Sequence, residues 1–173
     1  MKHLSTTSHV APNPRHAAEQ AADRTGPSRS YVRLGGELVL DFAIMYFVMY
    51  AMIATLRHLW LNLGNVYMTL MMVAPMALLM LVLMPSMYPS PRANAAIAVV
   101  AVAVFAASFA AMRAQAAIGD TQFLRSMIPH HSGAILMCRE AKLTDPEIVS
   151  LCRRIVRSQS EEIAQMEAIL QRH

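Results

Sequence analysis

The chain has 173 residues, 55% of them hydrophobic and only 15% charged, with a formal net charge of +4. The length suits one soluble domain, but the charged fraction is too low for an ordinary one. The positive excess lies in an amino-terminal arm and beside apolar segments, so it reads as membrane topology and not as a nucleic-acid surface.

Residues 1–36 carry Lys2, Arg15, Arg24, Arg29 and Arg33 against Glu19 and Asp23, are rich in Ser, Thr and Pro, and lack apolar periodicity. They are expected to form a disordered basic arm. His3, His9 and His16 read as scattered residues of that arm.

Residues 37–113 are expected to form a membrane domain with three spans, at 38–56, 66–84 and 95–112. Each approaches the roughly 17 to 25 apolar residues that cross a bilayer core. None is a short apolar region followed by a small-residue cleavage site, so none reads as a signal peptide. The five basic residues of the arm and Arg92 fall on one side, and Arg57 and Arg113 on the other. That bias predicts a cytoplasmic amino terminus and an exported carboxy-terminal segment, which in a bacterium means the inner membrane with the segment periplasmic or extracellular. Met45, Met49 and Met52 stripe the first span, and Met68, Met72, Met76, Met80 and Met84 step along the second. Packing is the simpler reading of both series; a relay for Cu(I) is the sharper one. Asp41 and His58 sit near span ends, within reach of headgroups.

Residues 114–173 predict a helical hairpin: one helix capped by Asp120 after Gly119, running to about Ala141, and a second running to about Leu170. The second start fits either Thr144 with Glu147 or Asp145 followed by Pro146. One stripe of the first helix holds Asp120, Leu124, Met127, His131, Ala134 and Cys138, with His130 on its flank beside Phe123 and Met137. The facing stripe holds Ile148, Cys152, Ile155, Gln159, Glu162, Met166 and Leu170. An antiparallel register sets Met127 opposite Glu162, His130 opposite Gln159, and Cys138 opposite Cys152.

Buried imidazole and carboxylate groups need partners. One solution is a network in which Glu162 accepts from a histidine and Gln159 supports it. The other is a metal ion shared by His and Met, with thioether and imidazole suiting Cu(I). Pro129 removes one helical hydrogen bond and could turn both histidines toward one site. Cys138 and Cys152 admit three readings: a disulfide, thiolate ligands, or small core residues. No di-iron Glu-x-x-His pair, zincin motif, phosphate-binding glycine pattern or nucleophile elbow is present, which argues against an enzyme.

The stretch DTQFLRSMIPHHSGAILM and the later QSEEIAQM resemble the two motifs of the domain-of-unknown-function 305 family. The resemblance implies a ferritin-like helical bundle, exported or membrane-anchored, with copper-associated relatives. Carried over, Met127, His130, His131, Met137 and Met166 are the ligand candidates, with Asp120, Gln159 and Glu162 as ligands or supports. One hairpin is half of a four-helix bundle, so a homodimer or higher oligomer is expected to complete it. The all-α chain is thus expected to be a membrane-anchored copper-binding protein of the cell envelope, serving sequestration or tolerance. The alternative is an oligomerisation module whose polar core fixes helix register.

Overall fold

The computed structural model describes residues 27–172; the three arm histidines and the rest of residues 1–26 lie outside them. The described residues form five α-helices: α1 (Pro27–Val48), α2 (Leu63–Leu83), α3 (Pro91–Arg113), α4 (Asp120–Glu140) and α5 (Pro146–Leu170). A 3-10 turn, Leu56–His58, lies between α1 and α2. No strand occurs among them.

Helices α2 and α3 are each long and apolar enough to cross a membrane. The Asn62 side chain accepts from the Asn65 amide and starts α2; Ser90 accepts from the Ala93 amide, ahead of Pro91 at N1, and starts α3. Their mutual face is made of small residues: Ala74 and Ala77 meet Ala101, with Thr69 and Ser108 also buried. Their bulky residues point outward, among them Leu79, Val82, Leu83, Val99, Phe105 and Phe109. Small residues inside and large apolar ones outside invert the pattern of a helix in water and match helices packed within lipid.

The bounds expected for the first span, 38–56, are corrected. Its helix begins at Pro27, inside the stretch expected to be a disordered arm, and ends at Val48. It packs on α2, and its Leu38 touches the cluster between α2 and α3. Tyr31 Oη near its start donates to Asn94 Oδ1 at 2.8 Å, and Tyr46 Oη near its end donates to the Asn62 carbonyl at 3.2 Å. Beyond Val48 the chain folds back because Tyr50 Oη donates to the Trp60 carbonyl (2.9 Å) and the Ala54 amide donates to Ser132 Oγ on α4 (2.7 Å). The apolar residues that looked like the rest of a span instead cover the hairpin.

Helices α4 and α5 form the hairpin. Leu124, Ile128 and Ile135 of α4 bury against Ile163 and Met166 of α5, with Ala54 and Trp60 packed on the same cluster. Each such large side chain contributes about 1.5–3 kcal/mol when fully buried. Asp145 Oδ1 accepts from the Glu147 and Ile148 amides, so Asp145 with Pro146 is the start of α5 and Thr144 is not. Asp120 does not cap α4: Gly119 is the N-cap residue and Asp120 lies in the first turn. Gly119 does not end α3 either. That helix stops at Arg113, and the chain turns through Gln115 (φ 50°) and Ala117 (φ 56°). This left-handed backbone costs a non-glycine residue about 1–2 kcal/mol. A disulfide between Cys138 and Cys152, with 5.3 Å between their Cα atoms, closes the other end. A loop of that length gains about 3 kcal/mol from such closure.

Candidate metal centre

The two adjacent histidines of α4 have different surroundings. His131 is buried; its Nδ1 donates to the Met127 carbonyl (2.9 Å), and its Nε2 lies 2.6 Å from Glu162 Oε2 on α5. The other carboxylate oxygen accepts from Ser158 Oγ at 2.7 Å. These bonds from Ser158 and His131 hold the Glu162 carboxyl below the usual carboxylate range. Both ring nitrogens of His131 are thus taken up by partners within the hairpin, the Met127 carbonyl and the Glu162 carboxylate.

His130 is exposed, and its ring centroid stands 6.0 Å from that of His131. It lines a cavity of about 570 Å³ together with Met127 and Met137 of the same helix. The far wall comes from the other end of the chain: Met49 and Met52 after α1, and Met68 on α2. Met112, at the end of α3, also lines it. Asn62, Asn65, Gln115 and Ser126 supply polar atoms, and no charged side chain of the described residues lines the chamber. Six of the sixteen lining residues are methionine, against 15 in the 173 of the whole chain. This is a thioether-rich wall and not an average apolar pocket.

Continuous helix through Pro129 keeps the histidines apart, so α4 does not turn both toward one site. Of the sequence candidates, His130, Met127 and Met137 share the chamber, while His131 and Glu162 form the network beside it. Met166 is buried in the hairpin's apolar cluster. Asp120 is exposed in the first turn of α4, and Gln159 is half-buried on α5. The register brings Cys138 to Cys152 as expected from the turn, but Glu162 meets His131, one turn beyond its expected level. Among the described residues, no group of three or more His, Cys, Asp or Glu could hold an ion.

Four residues with no assigned role in the sequence reading hold the hairpin to the rest of the chain. Ser132 is fully buried; besides taking the Ala54 amide it bonds His58 Nδ1 at 2.8 Å. A Cβ on Gly133 would stand 3.5 Å from the Met52 carbonyl, so the backbones run close there. Gln122 Oε1 accepts from the Leu63 amide (3.0 Å), and Trp60 lies 6.0 Å from the Arg125 guanidinium. The small pair Ser132-Gly133, directly after two histidines, was the available signal of close approach.

The sequence model of the family described as Domain of unknown function (DUF305) matches residues 84–170, just over half of the chain. This protein belongs to the DUF305 family. The DUF305 match begins in the turn before α3, so it takes in α3 as well as the hairpin. The uncharacterized protein L153 of Acanthamoeba polyphaga mimivirus is 37% identical over 112 residues, which are 64% of this chain and 72% of that protein. No solved structure matches this DUF305 chain.

Proposed function

We propose that this protein is a membrane-anchored, copper-binding protein that sequesters the ion as Cu(I) on His130, Met127 and Met137. The single observation behind this reading is that an exposed imidazole opens onto the same chamber as two thioethers. Thioether with imidazole is a soft donor set that suits Cu(I), and the absence of carboxylate from the lining disfavours harder ions. The anchor reading rests on α2 and α3, with their small buried and large outward residues. A cytoplasmic amino terminus with an exported hairpin needs an odd number of crossings, so this reading takes α1, packed on α2, as a third beside α2 and α3. The charge bias then supports the amino terminus in the cytoplasm and the hairpin on the exported, oxidising face, where a disulfide is stable. In a bacterium that face is the periplasm.

The test uses the full chain in detergent or nanodiscs, titrated with Cu(I) against a chelator of known affinity. His130→Ala/Met127→Leu is expected to weaken binding by about 10–100-fold, the usual cost of losing groups at a metal site. Equal affinity in wild type and variant would sink the reading.

A second reading has its own support. The His131–Glu162–Ser158 network is satisfied without an ion and fixes the pairing of α4 with α5. Exposed Phe123, Ile148 and Leu151 leave apolar surface on the hairpin for a second copy. On this reading the chain self-associates equally with and without metal, which sedimentation in the presence of chelator measures.

A further inference from the structure

The chamber has two walls, and only one belongs to the hairpin. We propose that Met49, Met52 and Met68 supply thioether donors to a Cu(I) site shared with His130, Met127 and Met137, so that the ion is held between anchor and hairpin. This rests on the copper-binding reading above and adds its missing half.

Met49, Met52 and Met68 precede residue 84, where the family match begins, so family membership does not supply them. They come from two separate segments, the turn after α1 and the first turns of α2, yet border one cavity. Here Met52, Met68 and Met137 are 50%, 39% and 58% exposed and edge an open volume. Thioethers are neutral, cannot be protonated, and favour soft ions. With no charged side chain in the lining, a doubly charged ion would lack compensation, whereas a monovalent one carries the smallest desolvation cost. The close approach at Gly133 and the bonds to Ser132 hold the two walls together without blocking the chamber.

The probe is Ag(I), a redox-inert monovalent ion with the same soft preference, added to the full chain carrying 13C-methyl methionine. Methyl resonances of Met49, Met52 and Met68 are expected to shift at the same stoichiometry as those of Met127 and Met137. Met76 and Met80, which lie along α2 away from the chamber, should stay fixed. In parallel, Met49→Leu/Met52→Leu/Met68→Leu should weaken Ag(I) binding at least about tenfold. Unchanged emission from Trp60, the chain's one tryptophan, would show that the hairpin is still docked. Shifts confined to Met127 and Met137, with full affinity in the triple variant, would overturn this inference and leave the hairpin copper site standing. No shift at any methionine would overturn both.

Discussion

Adjacent residues on one helix, His130 and His131, differ because a helix sends neighbours about 100° apart. One imidazole goes into the interface with α5 and is consumed by two acceptors; the other faces the chamber. The sequence shows both as polar residues in an apolar run, but which one remains free depends on the carboxylate arriving from α5. Glu162 gives a pH prediction with a definite sign. Its folded value is lowered by the bonds from Ser158 and His131, so its contribution is present above the ordinary carboxylate value and is lost as pH falls through the lowered one. Melting temperature is therefore expected to drop on acidification below about pH 4.3, the unperturbed Glu value. The drop should be smaller in Glu162→Gln, whose curve starts lower at neutral pH. Parallel curves for the two proteins would rule the bond out as a source of stability.

At the scale of elements, the decisive contact is between the segment after α1 and the buried face of α4. Hydropathy made 38–56 one continuous apolar stretch and could not distinguish residues facing lipid from residues facing another helix. Both environments take the same side chains, and only the hydrogen bonds of Tyr46, Tyr50 and Ala54 separate them. The spans over α2 and α3 were legible to within a few residues because nothing interrupts them. Asp145-Pro146 likewise announced α5, whereas Gln115 and Ala117 carry a turn that no glycine marks. The docking gives a graded prediction. At Gly133 an added methyl would meet the Met52 carbonyl at ordinary contact distance, so Gly133→Ala should melt within about 1 kcal/mol of wild type. Gly133→Leu should separate the segment from α4 and shift Trp60 emission to longer wavelength. Unchanged emission in Gly133→Leu would show that the close approach is dispensable.

For the whole molecule, the hairpin is not self-contained: Ala54 and Trp60 complete its apolar cluster from outside the family-matched segment. Residues 114–173 alone would bare that face, so the hairpin's stability belongs to the full chain. The charge bias predicts that this face of the molecule lies outside the cytoplasm, and the chain's two cysteines, both in the disulfide, can report it. In intact cells, a membrane-impermeant thiol reagent is expected to label the protein only after an impermeant reductant is added. Labelling that requires lysis and no reductant would place the hairpin in the cytoplasm. Much of the architecture was legible because apolar length and helix signals are local. The chamber was not, because its two methionine walls, Met49 to Met68 and Met127 to Met137, lie at least 59 residues apart in the chain and meet only after folding.

A cavity shared by two bodies is also a clasp. Any solute that touches both walls binds only while they are together, so occupancy and docking are linked thermodynamically and reinforce each other by the same factor. At a hundredfold excess over its dissociation constant, a ligand adds about 2.7 kcal/mol to whatever holds the walls closed. A ligand bridging the two walls would therefore tighten the seam formed by Met52, Gly133 and Ser132, which the bonds to Ser132 already hold closed.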